Sequence, residues 1–118
     1  MAGLVVRREQ MQAFEQALLT TFVNRMADRL RDRFPAETVN LRPADLEATI
    51  RAGIAAAARH GVKDEADVAR YLEFVVTYGP SFDVDEKTAW AGAILRRTDL
   101  SGTGKMNALD NHDLFGSA

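Results

Sequence analysis

The sequence predicts an all-α protein: a single-domain bundle of four helices plus a short C-terminal helix, with one long helix at the N-terminal end. Three observations predict this class. Residues 8–34 contain neither glycine nor proline. Apolar residues recur every three or four positions through most of the chain, which is the period of a helix. Glycine, proline or aspartate bounds each later run, and 118 residues fit one domain, which we assign to residues 1–118.

The first predicted helix covers residues 8–34. Pro35 ends it, because proline disfavours helical geometry at the preceding residue and has no amide to donate. A helix of this length is about 40 Å long, so it either runs along the whole domain or projects from it towards a partner. A homodimer through this helix is one expectation. Its apolar stripe consists of Met11, Phe14, Leu18, Phe22, Met26, Leu30 and Phe34.

Two more helices are predicted in the middle of the chain. The first has Pro43 at its first position and stops at Gly61. Gly53 in its middle costs about 1 kcal/mol relative to alanine, which predicts a close crossing with another helix. The next helix begins near Asp64, whose side chain can cap free amides, and ends at the break formed by residues 79–80.

The C-terminal third is predicted to hold the fourth helix and the short fifth one. Asp85 caps the fourth helix. A glycine-containing turn then breaks the chain, and residues 105–114 form the short helix. We expect residues 1–7 and 115–118 to be flexible, as chain ends commonly are.

Composition and charge exclude several function classes. The absence of cysteine excludes disulfides, thiolate nucleophiles and cysteine-bound zinc. A net charge of -2 at pH 7 supplies no attraction to phosphate backbones. Residues 55–74 have the outline of a helix-turn-helix, but Asp67 and Glu73 on its second helix repel phosphate. We therefore predict that the protein has no nucleic-acid partner.

The N-terminal segment lacks the order of a secretory signal. Its apolar patch, residues 4–6, precedes Arg7 and Arg8, whereas the basic residues of a secretory signal come first. The patch is also far too short to span a membrane. We expect a cytoplasmic protein with no membrane partner.

Residues 101–105, Ser-Gly-Thr-Gly-Lys, match only the end of a phosphate-binding loop. The full pattern requires glycine where Asp99 stands, a hydroxyl after the lysine and a preceding strand. The same stretch partly fits a calcium loop, with Asp99 at its first position, Gly104 at its sixth and Asp110 at its twelfth. A turn before a helix explains the first pattern, and an ion-binding loop from Asp99 to Asp110 stays an alternative.

Three carboxylates and two imidazoles are the remaining candidates for chemistry. Asp83, Asp85 and Glu86 lie close in sequence, as in a cation site or an acid and base pair, but capping and turn formation also explain them. His60 and His112 do not have the spacing of metal ligands. We expect His60 in the last turn of its helix and His112 in solvent. We predict no catalytic residue, no metal site and no cofactor.

Two surfaces are candidates for binding a protein. One contains aromatic residues in or beside a loop, a type enriched in binding hot spots, although they can instead close one end of the bundle as core. It consists of Tyr78, Phe82 and Trp90. The other can add as an extended strand to the sheet edge of a partner, or can be an ordinary N-terminal leader. It consists of Leu4, Val5 and Val6.

Five segments occur in order along the chain. They are Val6-Arg7-Arg8-Glu9-Gln10-Met11 with Phe14, Phe34-Pro35, Ile50-Arg51-Ala52-Gly53-Ile54, Tyr71-Leu72, and Tyr78-Gly79-Pro80-Ser81-Phe82-Asp83. Together they resemble a group of small helical proteins associated with bacterial type VI secretion effector gene clusters, near spike, adaptor and toxin genes. The resemblance covers roughly residues 5–115 and includes no catalytic signature. It implies a cytoplasmic accessory protein that helps an adaptor or chaperone hold an effector before loading.

We therefore expect a non-enzymatic protein-binding accessory factor, a co-chaperone or adaptor partner that assists the loading of a type VI secretion effector. An immunity protein that inhibits a cognate toxin is one alternative. A small ion-binding helical domain that uses the acidic residues 83–86 or 99–110 is another. In the first two cases the partner is a protein: an effector, an adaptor or a toxin.

Overall fold

A computed structural model describes residues 8–116 of the chain, and the predicted all-α class is confirmed for them. The Leu4–Val6 patch and the leader and tail residues 1–7, 117 and 118 lie outside the described residues. The described part contains six α-helices and a 3-10 turn. They are α1 (Arg8–Arg33), α2 (Pro35–Thr38), α3 (Pro43–Arg59), α4 (Glu65–Tyr78), the 3-10 turn Glu86–Thr88, α5 (Ala89–Leu95) and α6 (Gly102–Phe115).

The long first helix is confirmed, but Pro35 opens a short helix that the sequence prediction omitted. Proline is well placed there, because the first position of a helix needs no amide donor. Arg31 fastens this segment to α1 by donating to the carbonyl oxygens of Thr38 and Leu41, at 2.9 and 2.8 Å. The chain thus reverses direction within ten residues and starts α3 beside α1.

The α3–α4 hairpin follows the prediction closely. Pro43 opens α3, and Gly61 follows its end with a φ of 79°, a left-handed conformation that favours glycine. The close crossing predicted from Gly53 is confirmed, since a Cβ there would lie 2.5 Å from Cδ2 of Leu72 on α4. The predicted side-chain cap is wrong: Asp64 precedes α4, but its exposed side chain makes no hydrogen bond to the first turn.

The C-terminal helix is longer than predicted and starts three residues earlier, at Gly102. The Ser101 hydroxyl caps it by accepting from the Gly104 amide at 3.0 Å, so the glycines lie inside the first turn. The helix continues to Phe115, which the prediction had assigned to a flexible tail. Asp85 caps the 3-10 turn that leads into α5, by accepting from the Lys87 amide at 2.9 Å.

One apolar core joins α1, α3, α4, α5 and α6. Its largest fully buried members include Leu30, Leu46, Ile50, Tyr71 and Phe82. The Cα radius of gyration is 16.3 Å, whereas a compact chain of this length has about 13.5 Å. The part of the protein that the structure describes is therefore more extended than a compact chain of this length.

Candidate functional site

The predicted aromatic surface is mostly part of the core. Phe82 has no exposed surface, and its ring centroid lies 5.0 Å from that of Tyr71 and 5.8 Å from that of Phe74. Phe82 thus belongs to the core that closes this end of the bundle, which is the alternative to a partner-binding role. A residue without accessible atoms cannot contact a partner.

Tyr78 and Trp90 connect helices, and of the two Tyr78 keeps the larger exposed surface. Trp90 is partly buried and stacks on His112, with ring centroids 4.2 Å apart and planes at 5°. The expectation of a solvated His112 is therefore wrong, because α5 and α6 bring the two rings together. Tyr78 is 39% exposed and donates its hydroxyl to the Asp113 carboxylate. This hydrogen bond, with burial, raises the pKa of Tyr78 above its usual value.

His60 is the residue that directly follows α3, one position beyond the last turn in which it was expected. Its side chain has a partner that the sequence did not indicate. Its Nε2 is 2.9 Å from Oδ2 of Asp83, and both side chains are largely buried. Lys105 donates to the His60 carbonyl oxygen at 2.9 Å. These contacts fasten the end of α3 to the 79–85 loop and to α6. The pair therefore has a structural role that explains why an acid and an imidazole are buried here.

Tyr71 lies beside this pair with a buried hydroxyl that has no hydrogen-bond partner among the described residues. Burial, together with the Asp83 charge, raises the pKa of Tyr71, so the phenol is neutral at ordinary pH. A buried hydroxyl without a partner costs roughly 1–3 kcal/mol.

Tyr71→Phe should therefore stabilise the protein, which is unusual for a substitution in the core. We expect the free energy of unfolding to rise by about 1 kcal/mol or more. Equilibrium urea denaturation, followed by the fluorescence of the single tryptophan, measures this change. Tyr71→Leu is the contrasting variant, because it removes ring contacts as well and should destabilise the protein. Destabilisation by Tyr71→Phe would show that the hydroxyl has a stabilising partner.

The acidic side chains that the structure describes do not come together as a cation site. Asp83 bonds His60 while Asp85 caps its turn, and residues 8–116 contain no group of three or more His, Cys, Asp or Glu side chains suited to a metal ion. The Asp99–Asp110 segment is not folded as a calcium loop, because residues 102–110 belong to α6. Within it, Asp110 accepts from Arg70 on α4. These carboxylates thus have structural partners.

The surface with the clearest capacity for binding is one that the sequence prediction indicated only in part. Every residue of α1 from 11 to 21 with a described side chain is exposed or, at Leu19, half-buried. Met11 is 47% exposed and Leu18 is 53% exposed, whereas Phe22, four positions after Leu18, is buried. We call residues 11–21 the arm. Of the two expectations for the long helix, projection beyond the bundle is the one observed.

The predicted apolar stripe is not one straight face of α1. A step of four residues turns about 400°, so a repeated four-residue spacing drifts by about 40° at each step. Leu18 and Leu30 therefore lie about 120° apart around the helix. Leu30 points into the core with no exposed surface, whereas Leu18 lies nearer the N-terminal end of α1 and is about half exposed. Of the predicted stripe, Phe22, Met26 and Leu30 are buried in the bundle, whereas Met11 and Leu18 are about half exposed.

The exposed side of the arm leads into an open groove of about 640 Å³ between α1 and α4. Its apolar floor consists of Phe22, Met26, Ala66 and Ala69. We call this cavity the α1–α4 groove. A smaller cavity of about 180 Å³ lies against Leu18, Leu19 and Phe22 where α1 meets α3 and α4. Apolar surface is thus continuous from the arm to the bundle.

Ion pairs form the rim of the α1–α4 groove. Arg25 is 2.7 Å from Glu65 of α4, with both side chains more than half exposed, and its guanidinium lies 5.5 Å from the centroid of the Phe22 ring. Arg29 pairs with Glu73 at 3.0 Å. Exposed pairs of this kind contribute at most about 1 kcal/mol to stability and are easily exchanged. An apolar floor with a charged rim is the usual anatomy of a protein interface.

Comparison with known protein families, with curated proteins and with solved structures finds no match. Within residues 8–116, none of the helices combines the length and the apolar character that a membrane crossing requires.

Proposed function

We propose that the protein is a non-enzymatic helical binding module that covers an apolar segment of a protein partner. The observation that carries this proposal is the continuity of the exposed arm with the α1–α4 groove. The resemblance to type VI accessory proteins supports the choice of partner: a secretion effector or its adaptor, held before loading. The module acts by burying apolar surface and has no chemical step.

The size and character of the surface support a helix as the bound element. An amphipathic helix lays apolar side chains into a groove at intervals of three or four residues, and a cavity of 640 Å³ accommodates several of them. Full burial of a leucine side chain contributes about 1.5–3 kcal/mol, so the half-exposed Leu18 has about half of this still to gain. Placing a charge there removes that gain and adds a desolvation cost.

Co-expression with the products of the adjacent genes tests the proposal. We expect one of them to co-purify with the wild-type chain, and Leu18→Asp to weaken the complex at least about tenfold, measured by titration calorimetry. Val39→Asp is the matched control, because Val39 is 70% exposed but lies between α2 and α3, and it should bind like the wild type.

Two outcomes would overturn the proposal: no co-expressed product associates, or Leu18→Asp and the wild type bind equally well. Protection of cells from an adjacent toxin, without any effect on secretion, would identify an immunity protein in place of a loading factor.

A further inference from the structure

Apart from Leu19, which packs against the core, the described side chains of the arm are exposed. Isolated helices shorter than about 12–15 residues are marginal in water, and most helical stability in proteins comes from packing. Yet the first buried side chain of α1 among those described is Phe22, and Met11 and Leu18 stay about half exposed. Another chain that covers the arm would supply the missing packing.

The arm and the α1–α4 groove lie on the same side of α1. Residues 11, 18, 22, 25 and 29 are separated by seven, four, three and four positions, which keeps them within about 60° around the helix. The apolar arm and the groove are therefore consecutive parts of one surface. A partner with the same two features can place its arm in the α1–α4 groove of this chain. The arm of this chain can then lie in the groove of the partner.

We infer that two copies of this chain pair antiparallel through α1, so that the arm of each lies along the α1–α4 groove of the other. The inference rests on the same surface as the proposed function and describes the free protein. A two-fold axis beside Thr20 places Leu18 of one copy at the level of Phe22 of the other. It also places Met11 at the level of Arg29, at the rim of the groove.

Charge complementarity favours a second copy in this arrangement. Glu15 is the only charged residue between positions 10 and 24. The two-fold axis brings it to the level of Arg25 of the other copy, where the exposed pair of Arg25 with Glu65 is readily exchanged. The two copies of Arg25 are separated by ten helical positions, about 15 Å, so these guanidinium groups stay apart. The neighbouring arm residues are uncharged and need no partner charge.

Light scattering of the full chain after size exclusion, over a concentration series, is the first test. We expect twice the 13.0 kDa chain mass for the wild type and the single-chain mass for Leu18→Asp. Circular dichroism of Leu18→Asp should show a loss of helix no larger than the arm, because the bundle stays folded. Val39→Asp should stay dimeric. A wild type that is monomeric at every concentration, or a dimer that Leu18→Asp leaves intact, would overturn the inference.

Disulfide trapping tests the antiparallel register, because the chain has no cysteine of its own. The double variant Met11→Cys with Arg29→Cys should form a covalent dimer. Within one chain the two sites are 18 residues apart on α1, about 27 Å, far beyond disulfide reach. Met11→Cys alone is the control, because in this arrangement the two copies of residue 11 are also 18 helical positions apart, about 27 Å. Cross-linking by the single variant, or none by the double variant, would contradict the register.

These tests separate the inference from the proposed function. A monomeric chain that still binds a co-expressed product through Leu18 would overturn the dimer and leave the function standing. A dimer that captures none of those products would confirm the pairing and remove the function.

Discussion

Leu30→Ala lowers the free energy of unfolding by about 2–5 kcal/mol. Leu30 has no exposed surface and packs in the core, so the change removes buried methyl groups and leaves a cavity. Equilibrium urea denaturation at one fixed protein concentration measures the loss, with the fluorescence of Trp90 as the probe.

Leu114→Ala is the matched control, because the same substitution falls on a residue that is 75% exposed near the end of α6. It should change the free energy of unfolding by no more than about 0.5 kcal/mol. Equal losses for the two variants would show that α1 does not contribute a buried face to the bundle.

Gly102→Ala is expected to destabilise the protein by about 1–3 kcal/mol. A Cβ at this position would lie 2.4 Å from the carbonyl oxygen of Gly61. Both contacting groups are tied to the backbone, so relief requires α6 to move away from the α3–α4 turn. The better helix propensity of alanine, worth about 1 kcal/mol, offsets only part of this cost.

Gly104→Ala distinguishes this clash from a general effect of glycine replacement in α6. Its Cβ would meet the Ser101 hydroxyl at 3.3 Å and Leu100 side-chain atoms at 3.5 Å, which small shifts accommodate. We expect Gly104→Ala to be neutral or stabilising by up to about 1 kcal/mol in the same denaturation experiment. If both variants lower the free energy of unfolding equally, the close approach of Gly102 to Gly61 is not the cause of the loss.

Local signals predicted the features of the fold that depend on the backbone of a few neighbouring residues. Pro43 and Gly61 bound α3 because their allowed dihedral angles fit a helix start and a helix end, respectively. Gly53 predicted a close crossing, since a helix tolerates a central glycine at a cost that packing offsets. The start of α6 was misplaced, because the Ser101 cap outweighs the two glycines that follow it.

Side-chain pairing between distant positions was not predictable in this way. His60 and Asp83 are 23 positions apart, and nothing in the residues around either one indicates the other. The stack of Trp90 on His112 likewise joins two residues that are far apart in the sequence. Such pairs depend on how the helices are arranged in space, which hydrophobic periodicity does not specify.

The division of α1 into a core half and an arm also depends on tertiary structure. Periodicity shows that Leu18 and Leu30 are both apolar positions of one helix, but not which neighbours cover them. The rest of the bundle is long enough to cover Leu30 and leaves Leu18 half exposed. The candidate binding surface therefore became visible only with the packed structure.

Hydrogen exchange along α1 tests most directly whether another chain holds the arm. In the full-length wild-type protein we expect slow exchange for amides 11–21, and in Leu18→Asp we expect fast exchange for the same amides. Amides 22–33 should stay equally protected in both proteins, because the core of the same molecule packs against them. Fast exchange of the arm in the wild type, or equal protection of the arm in both proteins, would contradict its role as a binding surface.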